Sequence, residues 1–261
     1  MASETLERVD WKHETRSVQG KSVIVTGGTT GIGRAVAVLL ASQGAKVTIF
    51  GRNDDPLQDA LKDIEAAAGG GGEVFGLTAD QAAYEDVQRV FREAEGRFGG
   101  VDLLVANAGL AAGSVTDMDF QDVEYVVRTN VLGYMAVAKE YLARAQSKGE
   151  GHIIFVGSMS ADAKNAGSDV YVATKTAVAG FADSLRKQVN EKGIRVTLIE
   201  PGLTGANLKG DDVDTEEQRG QIAEATMLTA EDIAESVYYA LTQPTRAEVV
   251  KMEIKPLKQI L

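Results

Sequence analysis

Seven short runs rich in Val, Ile, Leu and Phe recur along the chain, and longer segments with helical periodicity separate them. Such nearly continuous apolar runs are typical of parallel strands that are buried on both faces of a sheet. The predicted strands span residues 22–26, 46–50, 73–77, 103–106, 152–156, 196–200 and 249–254. The predicted helices span residues 31–43, 56–68, 83–98, 120–146, 170–192 and 230–241. This alternation predicts an α/β fold, a doubly wound parallel seven-stranded sheet with helices on both faces and right-handed crossovers.

The length of 261 residues suits one domain of this architecture. We expect residues 1–18 to form an N-terminal extension and residues 19–261 to form a single Rossmann-fold domain. Residues 203–227 are polar and charged and directly follow a predicted strand. Because ligands bind beyond the carboxyl ends of strands in open α/β sheets, this segment is a candidate mobile lid. A solvated surface insertion is the alternative interpretation.

The charge balance of the chain argues against several classes of partner. Lys and Arg number 27 and Asp and Glu number 38, so the net charge is −11, whereas a nonspecific nucleic-acid binder should be basic. The same acidity disfavours an anionic membrane surface. No apolar run approaches the roughly 18 residues of a membrane span, and the charged N-terminus has no signal-peptide core. We therefore expect a cytoplasmic protein with no nucleic-acid partner and no membrane partner.

The sequence contains no cysteine. Disulfides, thiolate catalysis and cysteine-based metal centres are therefore excluded, and this composition fits a reducing compartment. No metal site is predicted.

A glycine-rich turn joins the first predicted strand to the first predicted helix. Gly27, Gly31 and Gly33 lie in the sequence T-G-G-T-T-G-I-G, where glycine allows a tight turn and lets backbone N–H groups approach a phosphate. The positive end of the helix dipole strengthens the attraction for an anion. With 28 glycines in the chain the spacing alone is a weak signal, and a purely structural turn is the alternative. Its position at a strand–helix junction favours a loop that binds the pyrophosphate of a dinucleotide.

The end of the second predicted strand should decide which dinucleotide binds. NAD binders usually carry an acidic residue there, and NADP binders use a nearby arginine for the 2′-phosphate. Here Gly51, Arg52 and Asn53 end the strand, so a planar guanidinium that matches phosphate geometry is present. The sequence thus favours NADP(H) over NAD(H). Asp54 and Asp55 keep NAD(H) open unless they start the next helix, and an exposed surface charge is the alternative for Arg52.

Tyr171 and Lys175 are four residues apart on a predicted helix, so their side chains share one face. A free tyrosine has a pKa of about 10, and a nearby ammonium would lower it toward neutrality. An oxidised, cationic nicotinamide would lower it further. Ser158 follows the strand predicted over residues 152–156, where its hydroxyl can hold a substrate oxygen beside the tyrosine. Ser160 is a nearby competitor, and a serine that closes its own turn is the alternative interpretation.

These motifs together resemble the short-chain dehydrogenase/reductase family over residues 21–254. Asn130 contributes to the resemblance, because asparagine is a mediocre residue inside a helix and indicates a function there. Ala106 departs from the family pattern, which commonly has a second asparagine at this position. The matching motifs are T-G-x-x-x-G-x-G at residues 26–33, N-A-G at 107–109, the helix asparagine at 130, S…Y-x-x-x-K at 158, 171 and 175, and P-G at 201–202.

The resemblance implies a role for each matching residue. Tyr171 would be the general acid/base, and Lys175 would lower its pKa and bind the nicotinamide ribose. Ser158 would orient the substrate oxygen, and Asn130 would maintain a water-mediated proton relay. Asp80 would contact the adenine, with a helix N-cap as the alternative role. The implied cofactor-binding residues are Gly27, Thr29, Thr30, Gly31, Ile32, Gly33, Arg52, Asn53, Asp80, Asn107, Ala108, Gly109, Tyr171, Lys175, Pro201, Gly202, Leu203 and Thr204.

The predicted function is reversible hydride transfer between NADP(H) and a small-molecule carbonyl or alcohol substrate. The substrate pocket should be bounded by residues 110–118, 159–169 and 203–227. An NAD-dependent alcohol dehydrogenase of the same family is the alternative, and a non-catalytic dinucleotide sensor is disfavoured because the four catalytic residues occur together. The family is usually dimeric or tetrameric through its long helices, so a homodimer or homotetramer through residues 120–146 and 170–192 is expected.

Overall fold

The computed structural model describes residues 15–205 and 216–259. In these ranges the chain forms seven strands, named β1 to β7 in chain order. They are Ser22–Thr26, Lys46–Gly51, Glu73–Thr78, Leu103–Ala106, Gly151–Val156, Ile194–Pro201 and Lys251–Ile254. Each predicted strand is confirmed, and the predicted bounds differ from these by at most two residues.

The seven strands pair in parallel in the order β3-β2-β1-β4-β5-β6-β7, which confirms the predicted doubly wound sheet. The chain order reverses between β1 and β4, where Val25 pairs with Val105. In open α/β sheets such a switch point leaves a crevice beyond the carboxyl ends of the strands, where ligands bind. The predicted site residues should therefore meet at this edge.

Helices cover both faces of the sheet and enclose two apolar cores. Ile24 of β1 belongs to one core, while its neighbours Val23 and Val25 belong to the other, because successive strand side chains point to opposite faces. The helices of the described residues, named α1 to α9, are Gly31–Ser42, Asp54–Ala68, Tyr84–Phe98, Phe120–Val127, Gly133–Ala145, Ser160–Ala163, Asp169–Val189, Glu216–Ala223 and Ala230–Thr242.

The helix predicted over residues 120–146 is continuous over residues 120–145, but a π-helical turn at Arg128–Leu132 lies between α4 and α5 and was not predicted. Gln81 accounts for this turn. Its Nε2 donates to the backbone carbonyl of Thr129 at 3.0 Å, and its side chain packs against Gly133. A side chain inserted into the hydrogen-bond ladder disrupts the regular helix locally. Helical periodicity could not reveal this contact, which joins residues 48 positions apart.

The candidate lid at residues 203–227 is described only in part, since residues 206–215 lie outside the described residues. At its base Thr204 and Leu228 form an isolated parallel bridge. The helix α8 lies within the segment and was not predicted, and neither was the short helix α6. The lid stays a prediction.

The predicted N-terminal extension is also described only at its end, because residues 1–14 lie outside the described residues. The backbone N–H of Arg16 donates to the carbonyl of Thr242 at 2.8 Å, and Val18 is only 2% exposed. The end of the extension therefore packs on the domain, and its boundary at residue 18 stays a prediction. Among the helices that the structure describes, none has both the length and the apolar character needed to span a membrane.

Candidate active site

The glycine loop lies between β1 and α1, at the switch point of the sheet. Gly27 has a φ of +63°, which favours glycine, and a Cβ there would lie 2.8 Å from the Cα of Ala108. At Gly33 a Cβ would overlap the carbonyl oxygen of Gly27 and lie 2.5 Å from Asn107 Nδ2. Thr26 ties the loop to the end of β4, because its Oγ1 accepts hydrogen bonds from the N–H groups of Asn107 at 3.0 Å and Ala108 at 2.8 Å. Backbone sterics therefore require glycine at positions 27 and 33.

Two adjoining cavities follow the carboxyl ends of the strands. The larger, of about 620 Å³, extends across β1 to β4, and the smaller, of about 340 Å³, lies beyond β5 and β6. Ile32, Asn107 and Gly109 line both cavities, so the two form one cleft. Gly33 lines neither, since it faces the loop backbone. The other predicted cofactor residues are Gly27, Thr29, Thr30, Gly31, Arg52, Asn53, Asp80 and Ala108 in the larger cavity and Tyr171, Lys175, Pro201, Gly202, Leu203 and Thr204 in the smaller one.

Arg52 lies at the outer end of the larger cavity, directly after β2. Its Nη1 donates to the hydroxyl of Tyr125 at 3.0 Å, and its guanidinium carbon lies 5.6 Å from the centre of the Tyr125 ring. The same hydroxyl donates to Asp80 Oδ2 at 2.7 Å. Tyr125 thus positions both groups that the sequence predicted for the adenosine end.

The structure separates the alternatives that the sequence left open at this end. Asp54 and Asp55 form the first turn of α2 and line neither cavity. They therefore start the helix, which was the alternative to a role in binding NAD(H). Asp80 is not the N-cap of α3, because that position is Ala83. Its Oδ1 instead accepts a hydrogen bond from the N–H of Ala82 at 2.9 Å, which shapes the turn before the helix.

Tyr171 and Lys175 lie one turn apart near the beginning of α7. Lys175 is 3% exposed, its Nζ donates to the carbonyl of Val156 at 3.0 Å, and it lies 5.7 Å from the centre of the Tyr171 ring. Ser158 is buried just beyond β5 and lines the same cavity as both residues. Its Oγ also accepts a hydrogen bond from the N–H of Ser160 at 3.1 Å, so it closes its own turn as well. The fold therefore brings the three predicted side chains together.

Burial dominates the electrostatics of this group. It raises the pKa of Tyr171, and a hydrogen-bonding contribution from Ser158 opposes it. Burial lowers the pKa of Lys175 to about 8, and the carboxylate of Glu200 acts in the opposite direction. The lowering of the Tyr171 pKa that the sequence predicted, by Lys175 together with an oxidised nicotinamide, stays a prediction.

The family model of the short chain dehydrogenases matches residues 21–217. The chain belongs to this family. An uncharacterized oxidoreductase of Staphylococcus aureus is 31% identical over 238 residues, which cover 91% of this chain and 97% of that protein. The crystal structure of a short-chain dehydrogenase from Burkholderia cenocepacia in complex with NADP has a TM-score of 0.81 and 28% identity, covering 92% of this chain and 98% of that one. A variant of actinorhodin polyketide ketoreductase with NADPH has a TM-score of 0.80 and 26% identity, covering 90% and 96%.

In this short-chain dehydrogenase Asn130 lies in the π-helical turn and is fully buried. Its Oδ1 accepts a hydrogen bond from the N–H of Leu110 at 2.8 Å, and its Nδ2 donates to the carbonyl of Leu110 at 2.8 Å. Nδ2 also donates to Thr174 Oγ1 at 3.2 Å. The side chain therefore fastens the segment after β4 to α7, and Asn130 lines neither cavity of the cleft. Its part in a proton relay stays a prediction.

Two further residues of the dehydrogenase cleft, and one fully buried residue that lines neither cavity, escaped the interpretation of the sequence. Tyr125 holds Arg52, Gln259 lines the smaller cavity, and the buried hydroxyl of Tyr134 donates to the carbonyl of Val156 at 2.9 Å. Tyr134 follows the helix asparagine by one turn, so their common helix face could have indicated it. No local pattern marks Tyr125 or Gln259, because tertiary contacts alone bring them to the cleft.

A group of carboxylates lies beside the smaller cavity and surrounds Lys251. Its Nζ lies 2.9 Å from Asp162, 2.6 Å from Glu200 and 2.9 Å from Glu253. Glu200 is fully buried, which raises its pKa, while the Lys251 ammonium opposes that shift. The lysine thus supplies the cation that a buried carboxylate requires.

Proposed function

We propose that this chain is an NADP(H)-dependent oxidoreductase that interconverts a carbonyl compound and its alcohol, with Tyr171 as the general acid/base. The observation that carries the proposal is the common wall formed by Ser158, Tyr171 and Lys175 in the smaller cavity. This wall adjoins a larger cavity that begins at a glycine loop. The active-site group and the dinucleotide groove are therefore contiguous, as hydride transfer requires.

The residues of the larger cavity fit a dinucleotide. The left-handed backbone at Gly27 and the missing side chains of the loop leave room for a pyrophosphate beside the first turn of α1. Arg52 presents a guanidinium at the outer end, where Tyr125 holds it. A guanidinium there suits the 2′-phosphate of NADP(H), because it can bind phosphate oxygens in pairs. The complexes of the similar dehydrogenase with NADP and of the similar ketoreductase with NADPH support the same choice.

When bound, the dinucleotide supplies or accepts a hydride at the C4 atom of its nicotinamide. In reduction, the hydroxyls of Ser158 and Tyr171 would hold the carbonyl oxygen, and Tyr171 would donate its proton to that oxygen. The Lys175 ammonium lies against the tyrosine ring and would stabilise the phenolate left after the transfer.

A homodimer or homotetramer remains part of the proposal. Phe120 and Leu132 are 75% and 55% exposed, and Val127 and Met135 are also exposed, so this stretch presents apolar side chains to the solvent. They lie on α4, the π-helical turn and α5, within the residues predicted to form the subunit interface. A cytoplasmic location and the absence of a nucleic-acid or membrane partner likewise remain expectations from the sequence.

The variant Tyr171→Phe tests the proposal directly. NADPH and NADH consumption are first screened against ketones, aldehydes and keto acids, and the variant is then measured on the best substrate. We expect a loss of kcat of about 100-fold or more, because positioned general acid catalysis contributes about 10²–10⁴-fold. NADPH binding by nucleotide fluorescence should remain, which shows that the variant is folded. Turnover near the wild-type rate would refute the role of Tyr171, and nucleotide binding without any turnover by the wild type would favour a sensor.

A further inference from the structure

The C-terminal segment after β7 forms one wall of the smaller cavity. The N–H of Gly202 donates to the carbonyl of Ile254 at 2.7 Å, and the N–H of Lys258 donates to the carbonyl of Ala225 at 3.0 Å. Gly202 allows this close approach, because a Cβ there would lie 2.9 Å from the Cβ of Lys255. The segment is therefore packed tightly against the residues that follow β6.

Gln259 is held at the cavity by hydrogen bonds of its side chain and of its backbone. Its Oε1 accepts from the N–H of Leu203 at 3.1 Å, and its backbone carbonyl accepts from Lys255 Nζ at 2.8 Å. The side chain is partly buried and lines the cavity together with Ser158 and Tyr171. Within residues 15–205 and 216–259 no protein group accepts a hydrogen bond from its Nε2. The amide is thus anchored through its oxygen, and its nitrogen carries two N–H donors.

The surroundings of Gln259 make those donors significant. Ala111, Ala112 and Ala163 line the same cavity, so a good part of its wall is small and apolar. A donor at such a wall favours a ligand that carries an acceptor, because a bound ligand would exclude water from the donor and an unpaired polar group away from water is unfavourable. The cavity volume of about 340 Å³ suits a small organic molecule that contacts the catalytic group and Gln259 together.

We propose that Gln259 binds the substrate through Nε2, which donates to a second hydrogen-bond acceptor beyond the reacting carbonyl. The preferred substrates are then ketones that carry a further keto, ether or ester oxygen. This inference rests on the proposed function, because it assigns the carbonyl oxygen to Ser158 and Tyr171. Gln259 is a binding residue and takes no part in the transfer of hydride or proton.

The test compares cyclohexanone with tetrahydropyran-4-one, which replaces one ring methylene by an ether oxygen, and with 1,4-cyclohexanedione. The variant Gln259→Glu keeps an oxygen for the N–H of Leu203 but replaces the Nε2 donors by an acceptor. We expect the ratio of kcat/KM for either acceptor-bearing ketone to kcat/KM for cyclohexanone to fall about 3- to 10-fold, as for the loss of one neutral hydrogen bond. Comparing the ratio in the variant with that in the wild type cancels differences in ketone reactivity. Gln146→Glu makes the same chemical change at an exposed site and should leave the ratio unchanged.

Each other outcome overturns the inference. An unchanged ratio, or an equal loss on all three ketones, would mean that Gln259 only secures the loop at Leu203. A wild type that reduces other carbonyl compounds but none of these acceptor-bearing ketones would refute the substrate class. The dissociation constant for NADPH should stay within about twofold in both variants, which separates substrate binding from a damaged cofactor groove. If turnover depends on Tyr171 while the ratio does not depend on Gln259, the proposed function stands and this inference alone fails.

Discussion

Replacing Gly33 by alanine has two opposing effects on stability, a gain in helix propensity and a steric clash. The variant Gly33→Ala is therefore a strict test of the glycine loop. The residue lies in the first turn of α1, where alanine would favour the helix by about 1 kcal/mol. A Cβ there would overlap the carbonyl oxygen of Gly27 and lie 2.5 Å from Asn107 Nδ2. Forcing atoms into a closely packed site costs about 1–3 kcal/mol or more. The overlapped atom belongs to the backbone and cannot rotate away, so we expect the steric cost to exceed the helical gain.

After the helical gain is subtracted, the expected result is a net decrease of up to about 2 kcal/mol in the free energy of unfolding, measured by urea denaturation. NADPH binding should weaken as well, because the loop carbonyl and Asn107 must move to admit the methyl group. Gly96→Ala is the matched control, since Gly96 is exposed within α3 and a Cβ there meets no atom within 4 Å. This control should be as stable as the wild type or up to about 1 kcal/mol more stable. If Gly33→Ala matched the control in both stability and NADPH binding, the packing of the loop would be other than described.

Two further predictions concern the cofactor and the response to pH. Arg52→Ala should weaken NADPH binding by about 10- to 100-fold, as for the loss of a charged hydrogen bond to phosphate, and leave NADH binding nearly unchanged. Equal losses in titrations of both nucleotides would contradict the 2′-phosphate role. The variant Arg92→Ala, at an exposed arginine, serves as the control. Burial lowers the pKa of His152 well below its ordinary value of 6.5, so the unfolded chain binds a proton there that the folded chain does not. The buried neutral His152 should therefore make its full contribution to stability above pH 6.5. As the pH drops from 6.5 toward 5, the free energy of unfolding should fall by up to about 1.4 kcal/mol per pH unit. The variant His152→Gln should remove this contribution in urea titrations at pH 5 to 7, and an equal slope in both proteins would contradict it.

The strands and most helices were predictable because their signals are local. A buried parallel strand is a nearly continuous apolar run, and most of the strands follow this pattern, whereas β7 alternates charged and apolar residues. The pairing of Tyr171 with Lys175 was predictable for the same reason, since four residues make about one helical turn. The glycine loop followed from its position between a strand and a helix.

The π-helical turn within the helix over residues 120–146 was missed because a distant side chain contacts it. Gln81 comes from the segment after β3, and no periodicity within α4 and α5 reports its hydrogen bond to Thr129. Tyr125 and Gln259 were missed for the same reason. One meets Arg52 across 73 residues and the other meets Leu203 across 56, so only the folded chain makes them neighbours.

The sequence by itself determined the order of strands and helices, the glycine loop, and the spacing that places Tyr171 and Lys175 on one helix face. Each of these depends on residues within a few turns of one another, where backbone geometry fixes the outcome. The tertiary structure decided which carboxyl strand ends meet, how deeply Lys175 is buried, and which side chains complete the cleft. Burial is a property of the packed chain, and it raises the pKa of Tyr171. The orientation of Arg52 and the anchoring of Gln259 are likewise set by long-range contacts that no segment of the sequence contains.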